Sequence, residues 1–118
     1  MITLLITLLI LGTYSAPVKN IPRLLKGINL AGFEFGINEF GKINPSGQPV
    51  PPPKSQITHF AAQGVNLFRI PFGWNYMQPK LNGPLDPTYF RKYDEYVKAA
   101  LQVPNGKVII DLVSQCVF

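Results

Sequence analysis

Gly64-Val65-Asn66-Leu67-Phe68-Arg69-Ile70-Pro71 is the stretch on which the fold turns. It opens on a glycine, runs on through β-branched and aromatic residues, and stops at a proline. That order predicts a short strand entered from a helix and ended by Pro71. The helix before it is read over Ser55 to Gln63, where Ile57, Phe60 and Ala61 share one face and Gly64 is the stop. Further upstream, Asn38 to Pro53 is rich in Gly, Pro, Asn and Ser, which is loop chemistry. Before that loop, Lys26-Gly27-Ile28-Asn29-Leu30-Ala31 predicts a first strand.

Downstream the cycle repeats. Asn82-Gly83-Pro84 marks a loop, and Asp86 is placed to cap a helix whose first residue is Pro87. Phe90, Tyr93, Val97, Ala100 and Leu101 then recur at spacings of three and four, a single apolar stripe. Pro104-Asn105-Gly106 breaks that helix. Lys107 to Leu112 is almost continuously apolar, as in a strand buried on both faces of a parallel sheet. The order β-α-β-α-β belongs to the α/β class, with helices covering parallel strands through right-handed crossovers. Pattern alone leaves open a doubly wound sheet and a piece of an eight-stranded barrel.

The whole chain has 118 residues, 47% hydrophobic and 14% charged, which is the composition of a globular domain. Its formal charge of +5 is spread from Lys19 to Lys107 without a cluster. Nucleic acid is therefore not expected as a partner. Ile2 to Leu11 is apolar and too short to span a bilayer. With the small residues that follow, it reads as a secretory signal over residues 1–15, so the chain is expected to be secreted and extracellular, with no membrane association once the signal is removed. The single cysteine, Cys116, is out of place in an exported chain, where thiols come in pairs or not at all. One histidine, His59, makes no ligand cluster and is read as a helix-surface or packing residue; no metal or organic cofactor is expected.

Three segments carry a family resemblance. Gly27-Ile28-Asn29-Leu30-Ala31-Gly32-Phe33-Glu34-Phe35-Gly36 resembles the first strand and loop of fungal cellulases of glycoside hydrolase family 5. Gly64 to Trp74, with Phe68-Arg69-Ile70-Pro71, is similar to that family's second strand, and Leu85-Asp86-Pro87 through Tyr93-Asp94 to the helix after it. The resemblance implies the first three βα units of a (β/α)8 barrel, residues 16–112, with the site at the carboxyl ends of the strands. It implies an endo-β-1,4-glucanase acting on cellulose or other β-glucan through two glutamates, acid/base and nucleophile, with retention. In the family these follow the fourth and seventh strands, so the fragment is expected to lack both and to be inactive.

Among the residues present, the resemblance assigns Arg69 to support of the site, since a fixed guanidinium orients a carboxylate and keeps it ionised. Trp74 and Tyr76 follow the second strand, where aromatic faces stack on sugar rings; packing at the barrel rim is the competing reading. Glu34 on the first loop is within the reach of a sugar hydroxyl, or is a solvated loop carboxylate. Asp111 is read as a structural hydrogen-bonding group. The family match ends at Leu112, and Val113-Ser114 is what the frequent intron start GTAAGT encodes in frame. Residues 113–118 are therefore expected to be an aberrant tail, which also accounts for Cys116. The alternative function is a small secreted carbohydrate-binding or interaction protein that uses Trp74 and Tyr76 without catalysis.

Overall fold

The computed structural model describes residues 24–38 and 42–113. Six elements follow in order: β1 Gly27–Asn29, α1 Ser55–Ala62, β2 Leu67–Gly73, α2 Trp74–Met77, α3 Pro87–Leu101 and β3 Lys107–Val113. The strands form one sheet in the order β1-β2-β3, and both pairings are parallel. Gly27, Ile28 and Asn29 lie opposite Leu67, Phe68 and Arg69, which in turn lie opposite Lys107, Val108 and Ile109. The expected β-α-β-α-β order is present, with the short turn of α2 added directly after β2.

Because side chains alternate across a strand, the sheet has two unlike faces. Phe68, Ile70 and Phe72 point to the side of the helices and are buried. They join Leu30, Phe33, Ile57 and the α3 residues Tyr93, Tyr96 and Ala100 in one core. Arg69 alternates to the other face, where its register partners are Asn29 and Ile109.

The helix ends follow their local chemistry. Gly64 has φ of +85°, the left-handed conformation that ends α1 and that only glycine adopts cheaply. Asp86 caps α3, its Oδ1 accepting from the Tyr89 N–H at 2.7 Å, and Pro87 takes the first helical position, where its missing N–H costs nothing.

Four sequence expectations need correction. The regular part of β1 is shorter than Lys26–Ala31, although the Leu30 N–H still donates to the Arg69 carbonyl at 2.9 Å. β2 does not stop at Pro71 but continues to Gly73, with Pro71 opposite Asp111. The ladder explains this: the Arg69 carbonyl faces β1, so by alternation Pro71 also turns its missing donor toward that side, past the point where β1 has ended. The buried stripe of α3 is Tyr93, Tyr96 and Ala100 with Val97 beside it, while Phe90 and Leu101 are exposed. Finally, β3 is not buried on both faces. It is an edge of the described sheet, and Ile109, Ile110 and Leu112 are exposed.

The signal expected over residues 1–15 and the tail residues 114–118, with Cys116, lie outside the described residues. Val113, the first residue assigned to that tail, is the last of β3 and pairs with Gly73. Among the described residues no helix is long and apolar enough to cross a membrane.

Candidate active site

The helix-free face of the sheet carries one polar cluster. Arg69, in the middle of β2, is flanked by Asn29 on β1 and Asp111 on β3. Its Nη1 donates to Asn29 Oδ1 at 2.7 Å, and its Nη2 is in a short ion pair with Asp111 Oδ2. Three parallel strands in this register make the cluster unavoidable, because all three residues alternate to the same face. Gly27, Leu67 and Ile109 surround it in an open cavity of about 220 Å³. Held from both sides, the guanidinium cannot swing, yet two bonds leave most of its five N–H donors for something on the open side.

The other candidates gather at the carboxyl ends of the strands, but they do not join Arg69 in a single constellation. Glu34 turns back into its own loop, its Oε2 accepting from the Gly32 N–H at 2.8 Å. Tyr76 donates its hydroxyl to the Phe35 carbonyl at 2.9 Å and stacks on Tyr89 with centroids 5.5 Å apart. One face of the Tyr76 ring is thus already occupied by protein. Trp74 is half-buried, tilted against Phe72 at 6.3 Å, and borders a groove of about 420 Å³ with Ile43, Asn75, Gln78 and Leu81. That groove is larger than the cavity at Arg69, and no carboxylate lines either of them.

His59 lies on exposed α1 beside Phe60 and pairs its ring nitrogen with the Gln63 side chain at 2.8 Å, a helix-surface role. Among the described residues no group of three or more His, Cys, Asp or Glu side chains could hold a metal ion.

Sequence reasoning missed Asn29 as a partner of Arg69 and underread Asp111. The available signal was polar residues standing in otherwise apolar strands. It placed Tyr93 in the apolar stripe of α3 but did not find its hydroxyl's partner, and it missed Tyr89 and Tyr96. Tyr89 donates to the Phe33 carbonyl at 2.7 Å, Tyr93 to the Ile70 carbonyl at 2.6 Å and Tyr96 to the Pro52 carbonyl at 2.7 Å. All three rings meet buried Phe33 edge-on at 4.9 to 6.0 Å. These bonds tie the long loop after β1 down onto α3 and the end of β2. Burial is the main cause that raises the phenol pKa of both Tyr89 and Tyr93; for Tyr93 the nearby charges of Asp111 and Glu34 add to it.

Parallel βα units with helices on one face and a polar cluster on the other are the build of a segment of a (β/α)8 barrel, whose site opens at the carboxyl ends of its strands. Comparison with known proteins agrees. The profile described as Cellulase (glycosyl hydrolase family 5) matches residues 25–116, a stretch that runs past Leu112. The chain is 45% identical over 102 residues to a manganese dependent endoglucanase of Phanerodontia chrysosporium, covering 86% of this chain and 26% of the relative. It is 40% identical over 121 residues to an endoglucanase of Saitozyma flava, covering 93% of this chain and 34% of the relative. The crystal structure of Cel5A from Hypocrea jecorina superposes with a TM-score of 0.65 at 32% identity, over 75% of this chain and 30% of that one. XacCel5A, solved in complex with cellopentaose, superposes with a TM-score of 0.55 at 32% identity, over 70% of this chain and 26% of that one. This chain belongs to glycoside hydrolase family 5. It spans about a third or less of the length of the curated relatives it matches.

Proposed function

We propose that this chain supplies the amino-terminal strands of an endo-β-1,4-glucanase site, with Arg69 holding a carboxylate nucleophile ionised and in line for attack on a β-glucan. The observation that carries this reading is the guanidinium fixed between Asn29 and Asp111 on the helix-free face, with donors to spare. A retaining glycosidase needs two carboxyl groups about 5 Å apart, one attacking the anomeric carbon and one first giving and then taking a proton. An arginine beside the nucleophile lowers its pKa and fixes its direction, both of which the first step requires. On this reading the two glutamates belong to later strands than the three described, and the chain alone does not cleave. Export through the leader at residues 1–15 would bring it to polysaccharide outside the cell.

The test joins the chain at β3 to the remaining barrel of the Phanerodontia chrysosporium relative and measures reducing sugar released from β-glucan. The unjoined chain should release none. The joined enzyme should be active, and Arg69→Lys in it should lower kcat by roughly a hundredfold with KM little changed, because a lysine cannot reproduce the fork. A joined enzyme whose kcat ignores Arg69→Lys would overturn the assignment.

The groove beside Trp74 favours a second reading, a secreted protein that binds glucan without catalysis. An indole at the border of a groove with amide side chains from Asn75 and Gln78 suits a sugar ring. It predicts saturable binding of the unjoined chain to insoluble cellulose, lost in Trp74→Ala. No binding would leave the first reading alone.

A further inference from the structure

Two tyrosines stand behind the groove that Trp74 borders. One wall of that groove is α2 and the turn after it, with Trp74, Gln78 and Leu81. The other is the loop after β1, with Lys42 and Ile43. Both walls lie between β1 and α3 in the chain, and neither uses β3 or its outer edge.

The walls are separate stretches of chain, and tyrosine hydroxyls join them. Tyr76, two residues after Trp74 on α2, donates its hydroxyl to the Phe35 carbonyl at 2.9 Å. The next carbonyl along, that of Gly36, accepts from the Asn44 N–H at 2.8 Å, and Ile37 bridges Ile43. Ile43 on one wall is thus carried by a segment that Tyr76 holds from the other. Gly36 has φ of +88°, and a Cβ there would come within 2.6 Å of the Tyr76 hydroxyl, so the loop meets the phenol with bare backbone. Behind them, the Tyr89 hydroxyl accepts from the Gly73 N–H at 3.2 Å and donates to the Phe33 carbonyl at 2.7 Å. Gly73 precedes Trp74, and Phe33 stands at the root of the opposite wall, so one oxygen joins the bases of both. The Tyr76 and Tyr89 rings stack on each other, which holds the two phenols together.

We propose that Tyr76 and Tyr89 are positioning residues that set the width of the Trp74 groove, and that this groove holds a sugar unit of a β-glucan beyond those beside the scissile bond. This role rests on the glucanase reading of the chain. It gives Tyr76 a task other than stacking on sugar, since its ring is engaged by Tyr89 and its hydroxyl by Phe35. The groove shares no lining residue with the cavity at Arg69, so the sugar it holds is not the one attacked. Width matters because a gap of about 0.5–1 Å already forfeits roughly a quarter to a half of a dispersion contact. A sugar ring between Trp74 and Ile43 is held only while both walls keep their places.

The experiment uses the chain joined to the remaining barrel of the Phanerodontia chrysosporium relative. Its two substrates are a β-glucan polymer and an aryl β-cellobioside, which is short enough to fill only the positions beside the scissile bond. Tyr89→Phe keeps the ring and removes both bonds of the hydroxyl, whereas Tyr76→Phe removes one. KM for the polymer should rise about five- to tenfold in Tyr89→Phe and about threefold in Tyr76→Phe, with kcat within about twofold of the parent. On the short substrate both constants should stay within about twofold. Trp74→Ala should show the same split with a rise of at least about tenfold. A general weakening of the fold would not distinguish the two substrates. Should Tyr89→Phe fail to fold, Tyr76→Phe, at a part-exposed ring, carries the test together with Trp74→Ala. Equal losses on both substrates, a fall in kcat, or an unchanged KM for the polymer in the tyrosine variants would overturn the proposal. So would a Trp74→Ala enzyme with the parent's KM for the polymer. Arg69→Lys checks the glucanase reading separately, because its loss falls on kcat and on both substrates alike. A joined parent without activity would overturn both.

Discussion

Phe68 and Arg69 are neighbours in sequence, but different physics holds each of them. Phe68 is fully buried under the helices, and Phe68→Ala should cost about 3–5 kcal/mol, the range for removing a buried aromatic ring. Arg69 sits in a part-exposed ion pair, and such pairs contribute less than about 1 kcal/mol once solvent screening is allowed for. Urea denaturation of Phe68→Ala and Arg69→Ala should therefore separate the two widely, the second staying near the parent. An Arg69→Ala loss as large as that of Phe68→Ala would make the arginine a structural residue. Here the sequence was only half legible. Arg69 was singled out by the resemblance of Phe68-Arg69-Ile70-Pro71 to the family's second strand. Its partners were not, because whether Asn29 and Asp111 reach it depends on strand register, which no single stretch contains. Asp111, read as a structural hydrogen-bonding group in a buried strand, proves to be part of a half-open ion pair.

At the scale of elements, ends were legible where one residue carries the reason, and interiors were less so. Asp86 and Pro87 announced the start of α3, and Gly64 the end of α1. Asp86→Ala removes the acceptor for the Tyr89 N–H and should cost about 1 kcal/mol, lowering Tm by roughly 5 °C in a domain of this size. Asp86→Asn should recover most of the loss, and thermal melts followed by circular dichroism would read both. A variant pair with equal melts would mean the cap is not formed. The stripe on α3 was misjudged at Phe90 and Leu101 because helical periodicity shows which residues share a face but not how wide a face the sheet covers. Tyr93, Tyr96 and Ala100 occupy that width. Pro71 misled for a related reason: a proline forbids a donor, not a strand, and here the donor would have faced the gap beyond β1.

For the molecule as a whole, the core is one-sided, and its polar bonds are concentrated in tyrosines. Tyr89, Tyr93 and Tyr96 each set a ring against buried Phe33 and a hydroxyl on a backbone carbonyl, and so link the loop after β1, α3 and the end of β2. This gives the fold a pH limit whose sign can be worked out. Burial holds the Tyr89 and Tyr93 phenols above their ordinary value, which means the folded state keeps its protons where the unfolded chain loses them. Stability from these groups is complete below about pH 10 and is lost as the pH rises beyond it, since only the unfolded chain then gains by ionising. Tyr93→Phe separates this effect from ordinary weakening. It removes the bond to the Ile70 carbonyl and so should start about 1 kcal/mol less stable at neutral pH. From there its urea midpoint should fall less steeply than the parent's between about pH 9 and pH 11, because one of the titrating groups is gone. Parallel slopes in parent and variant would show that the alkaline limit lies elsewhere, and that the tyrosine cluster is not what binds the loop to the sheet.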